Sequence, residues 1–275
     1  MLLLFAGLQR GTAVSSPSSA APTHSCDGLW RSFDASLDLV ALHYDCAADP
    51  DDFVSSAADR SLLEASFGTP WLADHVLPVV GAFGRNTDYQ EHPCVRTAQA
   101  VWGDATGFLR ANCNAGCQIA ASDRALAIEL AYVRWSRTIA SGGHVFVKEG
   151  GQSDFTMKVV TLLEGRNDLP LNAGRCVHVV QHSVWNEDMN SAGVTTFIMR
   201  HTDYLGPKNN GRGPITDGNI PMQERRTQIT GPFLEAARKS WAACAWHVAL
   251  DEFSKIPSWC DWRHGAQLLS PDVCI

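Results

Sequence analysis

A chain of 275 residues, 45% hydrophobic and 19% charged, holds enough apolar material for a full core in one large domain or two small ones, which excludes a fibrous or disordered protein. Its formal net charge of -7, with no run of lysine or arginine, argues against a nucleic-acid partner, because phosphate backbones are held by clustered cations. No stretch approaches the roughly 18 to 20 apolar residues that span a bilayer, so no membrane segment is expected.

Residues 1 to 26 read as a leader. MLLLFAGLQRGTAVSSPSSAAPTHS has a short apolar run followed by a Ser/Ala/Pro-rich stretch, similar to a secretion signal and its cleavage region. Its apolar run is short for such a signal and lacks a basic flank, so the alternative is a cytoplasmic chain with a disordered leader. Nine cysteines, at positions 26, 46, 94, 113, 117, 176, 244, 260 and 274, point to disulfides and an oxidising compartment, with one thiol left over. The Cys113/Cys117 pair lacks the second pair or histidines that a zinc site needs. There is also no N-x-S/T glycosylation acceptor.

From about residue 27 to the end, short Val-rich apolar runs alternate with helix-like sequence. The runs are Leu37 to His43, Val76 to Phe83, His144 to Lys148 and Cys176 to Gln181. The helical stretches are Phe53 to Ser66, Arg124 to Ala140, Asp154 to Leu163 and Pro232 to Leu250, the last with Trp241, Trp246 and Leu250 at helical spacing for core packing. Such alternation predicts a single α/β domain: an open, mostly parallel sheet flanked by helices. The segment Asp203 to Glu224, dense in Gly, Pro and Asn, is expected to be a long surface loop without regular structure.

In open parallel sheets ligands bind beyond the carboxyl ends of the strands, and here those positions are polar. The first run leads into Asp45, Asp49, Asp51 and Asp52, four carboxylates within eight residues. Asp49-Pro50-Asp51-Asp52 is also a good helix start, with a capping acid and Pro in the first turn. Asp45, ahead of the turn, is not explained by capping, and the cluster as a whole calls for a cation with oxygen ligands. After the second run come Gly84, Arg85, Asn86 and Asp88, and after the third Glu149, Gly150, Gly151, Gln152, Ser153 and Asp154. After the fourth come Gln181, His182, Trp185, Asn186 and Glu187. Amides, carboxylates and a tryptophan suit sugar hydroxyls and one flat face. The Gly150-Gly151 turn lacks the lysine of a phosphate loop. No G-x-S-x-G elbow supports a serine hydrolase, and no G-x-G-x-x-G follows the first strand to bind a dinucleotide.

An acidic motif after the first strand, a Gly-rich turn after a middle one and an Asn-Glu pair after the next resemble the nucleoside hydrolase superfamily. Asp49-Pro50-Asp51-Asp52 is especially similar to a secreted branch described as sugar-binding or nucleoside-hydrolase-like. The resemblance implies Ca2+ held by Asp45, Asp51 and Asp52, and a small nucleoside or sugar ligand contacted by Asn86, Gln152, Asp154, Trp185, Asn186 and Glu187. It also implies Asp49 or Asp45 as the base that activates water, with His182 or His201 as the acid for the leaving group. A late metal-binding aspartate would be Asp203 or Asp217. One departure stands out: Ala47 occupies the position where the family carries its water-activating aspartate. The implied activity is calcium-dependent hydrolysis of an N-glycosidic bond. The alternative is a secreted carbohydrate-binding protein on the same fold, and a metal-dependent phosphatase lacks an Asp-x-Asp nucleophile with a partner lysine.

Overall fold

A computed structural model describes residues 26, 31–45, 51–82, 84–85, 91–111, 121–181 and 184–206. They form a six-stranded, all-parallel sheet with helices on both faces. The elements in chain order are β1 (Leu39–Tyr44), α1 (Asp51–Phe67), α2 (Thr69–His75), β2 (Val76–Val80), α3 (Glu91–Trp102) and β3 (Leu109–Arg110). They continue with α4 (Ala121–Ala140), β4 (Val145–Glu149), α5 (Asp154–Glu164), β5 (Val177–Gln181), α6 (Val184–Met189), α7 (Val194–His201) and β6 (Asp203–Leu205). The strand order is β3-β2-β1-β4-β5-β6, so the chain reverses its winding between β1 and β4.

Every residue of β1, β2, β4 and β5 is buried, which is why these strands appear in the sequence as near-continuous apolar runs. One layer packs Ala127, Ala131, Trp135 and Ile139 of α4 and Phe155, Val159 and Leu163 of α5 against Leu39, Ala41, Val145, Val147, Val177 and Val179. The other layer is more polar. Along α1 the buried positions Asp52, Ser55, Ser56, Asp59, Arg60 and Leu63 recur at the spacing of one helix face, so carboxylates and hydroxyls turn toward the sheet.

Lys148 on β4 meets that face. Its Nζ donates to Asp59 Oδ2 at 2.6 Å, the Tyr44 hydroxyl donates to the same oxygen at 2.7 Å, and the ammonium lies 5.1 Å from the Tyr44 ring centroid. On the opposite face the next residue, Glu149, accepts from His43 Nδ1 at 2.9 Å and from the Thr156 hydroxyl at 2.5 Å. Successive strand residues point to opposite faces, so one dipeptide places a cation in one layer and an anion in the other.

The amino end of the sheet is closed by the segment before β1. Phe33 packs on Phe67, Trp71 and Phe146, the Trp71 indole donates to the Ala35 carbonyl at 2.7 Å, and Arg31 pairs with Asp38. Cys26, the last residue of the expected leader, forms a disulfide with Cys176 just before β5.

Among the described residues, the strands and long helices of the sequence reading are present, with ends shifted by at most three residues. Six elements correct it. Helices α2, α3, α6 and α7 and the two-residue β3 lie in stretches not assigned to any element. The expected loop from Asp203 begins with strand β6, because Tyr204 pairs with Val179 and Asp203 is fastened to His178 Nδ1 at 2.8 Å. The remainder of that loop and the expected helix Pro232 to Leu250 lie outside the described residues.

Breaking the buried Lys148–Asp59 pair leaves an uncompensated charge, at about 3 to 5 kcal/mol. Lys148→Met and Asp59→Asn are each expected to lower unfolding stability by that order in denaturant titrations. The double variant is expected to lose clearly less than the sum of the two.

Candidate functional site

The reversal between β1 and β4 is a switch point, and ligands of doubly wound sheets bind beyond the carboxyl ends of the strands at such a point. Asp45 follows β1 directly, and the turn Gly150-Gly151-Gln152 follows β4. Gly151 makes the approach close: a Cβ there would collide with Cβ of Asp45 and, at 2.5 Å, with the Ala82 carbonyl oxygen. Backbone bonds tie the ends together, Gly150 N–H to the His43 carbonyl at 2.9 Å and Ala82 N–H to the Tyr44 carbonyl at 3.0 Å.

Gln152 is the hub of this end of the sheet. It is fully buried; its Nε2 donates to Asp45 Oδ2 at 2.8 Å and to Asn186 Oδ1 at 3.0 Å, and its Oε1 accepts the Gly84 N–H at 2.9 Å. Both amide hydrogens are therefore committed, and the side chain joins the ends of β1, β2 and β4 to α6. Gln152 is better placed to orient Asp45 and Asn186 than to bind a substrate itself. Asn186 in turn donates to the Gly150 carbonyl at 2.9 Å.

Further amides and hydroxyls pack behind these residues. Ser153 donates through its hydroxyl to Gln181 Oε1 at 2.8 Å, and its N–H reaches Asn190 Oδ1 at 2.8 Å. Gln181 Nε2 donates to the Gly151 carbonyl at 2.8 Å, locking the glycine turn from the β5 side. Asp154, expected to contact the ligand, instead accepts the Ser191 N–H at 3.1 Å and packs against Gly84, where a Cβ would strike its carboxylate. Arg85 closes the same side, its N–H on the Met189 carbonyl at 3.0 Å and its guanidinium on the Asp188 carbonyl.

Glu187 is buried, and its Oε1 accepts the Tyr204 hydroxyl at 2.6 Å. Tyr204 was not singled out from the sequence, because it lies where a loop was expected. Burial, the hydrogen bond to Glu187 and the charges of Glu187 and Glu149 all push the Tyr204 phenol far above its ordinary range. Trp185, one residue before Asn186, is 49% exposed and is the large aromatic surface on α6. Asp52, in the first turn of α1, is buried, and its charge is felt at Tyr44 beside Asp45.

Of the residues assigned from sequence, Asp45, Gln152 and Asn186 are joined by hydrogen bonds, and Glu187 and Trp185 flank Asn186 on α6. Asp49, His182 and Asn86 lie outside the described residues, as does the side chain of Asp51. Two further candidates sit at the opposite pole. Asp203 begins β6, bonded to His178, and His201 ends α7 with its Nδ1 2.7 Å from Glu164 Oε1; neither is near the carboxyl end of the sheet.

Two buried aspartates at one strand end, Asp45 and Asp52, offer the hard oxygen donors that calcium prefers. Among the described residues no group of three or more His, Cys, Asp or Glu side chains is arranged to hold a metal ion.

Comparison of the chain with protein-family models, with characterised proteins and with solved structures finds no match in any of the three. The geometry of the strand ends is therefore what bears on function.

Two outcomes follow from this geometry. Gln152→Glu removes both donated hydrogens and sets a carboxylate against Asp45, so it is expected to destabilise the fold by about 2 kcal/mol or more in denaturant titration, whereas a surface Gln→Glu change is close to neutral. Tyr44 is also pushed well above the usual range, by burial first and then by the charge and hydrogen bond of Asp59. A phenol whose folded pKa is raised contributes stability below the unfolded value near 10 that is lost as pH climbs past it. Alkaline titration at the phenolate wavelength should show these two tyrosines ionising only as the fold is lost, and Tyr44→Phe/Tyr204→Phe should remove that component.

Proposed function

We propose that the switch point between β1 and β4 binds a small ribosyl or related glycoside with the help of calcium and hydrolyses its N-glycosidic bond. The observation that carries this reading is the convergence of Asp45, Gln152 and Asn186 in one hydrogen-bonded unit at the switch point of a parallel sheet. Carboxylates and amides anchored in this way are suited to pairs of adjacent hydroxyls.

Asp45 and Asp52, with Asp51, would hold the ion. Bound there, calcium would supply a Lewis acid that fixes sugar hydroxyls and lowers the pKa of a neighbouring water. The chain's own residues do the rest. Gln152 keeps Asp45 in one orientation, Asn186 and Glu187 bind hydroxyls, and Trp185 offers a flat face to the leaving group. Asp49 takes the proton of the attacking water, and His182 protonates the departing base.

A second reading, a carbohydrate-binding protein without turnover, is favoured by Ala47 at the position of the family's water-activating aspartate. The two readings separate in one experiment: incubation of the chain with a panel of nucleosides and small glycosides in calcium, scored for free reducing sugar. The hydrolase reading expects sugar release that a chelator stops and that Asp49→Asn lowers by about 100-fold, the scale of a general base, without loss of fold. Glycan binding that Asp49→Asn leaves unchanged, with no sugar released, would establish the second reading instead.

A further inference from the structure

The two faces of the sheet are covered unequally. Residues in register on parallel strands point to the same face, so Lys148 of β4, Val180 of β5 and Leu205 of β6 share the face on which α1 meets Lys148. The crossovers after β4 and β5 lie on the other face, where Phe155, Val159 and Leu163 of α5 and Val194 and Ile198 of α7 pack with Val177 and Val179. Among the described residues, the helices of the first face are therefore those that join β1, β2 and β3. Helix α1 stands over β1, with Asp59 on the Tyr44 hydroxyl, and leans toward β2, with Arg60 on the Val101 carbonyl and Ser56 on the Trp102 indole. Neighbouring strands are about 4.8 Å apart and a helix with its side chains is about 10 Å across, so α1 reaches β4 but neither β5 nor β6. Phe33 reaches this face only at Phe146, nearer the amino ends of the strands.

Val180 is nonetheless fully buried within the single chain. Parallel strands are covered on both faces, and here the cover over β5 has to come from outside the described elements. The edge on that side is β6, and the chain leaves it at Gly206 with residues 207–275 still to follow. Within them the stretch 232–250, PFLEAARKSWAACAWHVAL, carries Phe233, Ala237, Trp241, Cys244 and Val248 on one helical stripe, while Glu235, Arg238, Lys239 and His247 fall outside it. An apolar stripe with a polar remainder suits a helix that lies on a sheet. Residues 1–25 lead instead to Cys26, which is fastened at the amino end of β5 through Cys176, and their Ser/Ala/Pro-rich part has no such stripe.

We propose that residues 232–250 dock as an amphipathic helix on this face of β5 and β6, with the stripe through Phe233, Trp241 and Val248 against Val180 and Leu205. The carboxyl-terminal part of the chain then completes the second helical layer, and the edge half of the sheet is closed by its own chain rather than by a second copy. The proposal depends neither on calcium nor on any glycoside.

The test is photo-crosslinking in the full-length chain with Leu205 replaced by benzoylphenylalanine, followed by peptide mapping. The expected result is capture, within one chain, of the peptide that holds Trp241; capture of residues 1–25, of a second copy or of nothing would overturn the proposal. Amide hydrogen exchange without the photoreactive group gives an independent reading. Trp241→Ala is expected to speed exchange in β5 and β6 at least tenfold more than in β2, and Lys239→Ala, off the stripe, to leave all three unchanged. Exchange in β5 and β6 that rises no more than in β2, or that responds equally to both substitutions, would also overturn it.

Discussion

Two consecutive charges on the central strand β4, Lys148 and Glu149, are buried without exposure to solvent, and both helical layers are organised around neutralising them. An unpaired charge in a protein interior costs several kcal/mol, so each must find partners where its side chain points. Lys148 finds them on α1, in Asp59, with Tyr44 completing the node. Glu149 finds them in His43 of β1 and Thr156 of α5. The register of β4 beside β1 is thereby specified by more than apolar packing: a slip of one residue would carry the lysine into the layer built for a carboxylate, and the reverse.

That register also sets how the strand ends meet. With His43 opposite Glu149, Asp45 emerges beside the glycine turn, and Gly151 lets the two chain ends meet at van der Waals contact. Gln152 then spends both amide hydrogens on Asp45 and Asn186 and accepts from Gly84. A carboxylate and an amide held from behind in this way would lose little side-chain entropy in binding the proposed ligand.

Much of this was legible in the sequence, for definite reasons. Strands covered on both faces must be apolar runs, and four of them show at once; the acidic stretch after β1 shows because its density exceeds what helix capping explains. Glu149 was read as lying beyond its strand, since a lone glutamate normally ends an apolar run, whereas here it continues the strand opposite His43. The buried polar face of α1 was invisible for a similar reason: Asp52, Ser55, Ser56 and Asp59 look like a solvated stripe until Lys148 is set against them. The bridging role of Gln152 needs four chain segments to be brought together, which no local pattern carries. Strand β6 hid in a region rich in Gly, Pro and Asn, where only three residues pair.

The proposed site has one element on which its chemistry turns, a cation at Asp45 and Asp52. Calorimetric titration of calcium into the metal-stripped full-length chain, beside the Asp45→Asn and Asp52→Asn variants, tests it most directly. The account predicts binding in the micromolar range or tighter that either substitution weakens by at least tenfold. No heat in any of the three proteins, or equal affinity in all of them, would contradict it and leave the acidic motif as a helix start.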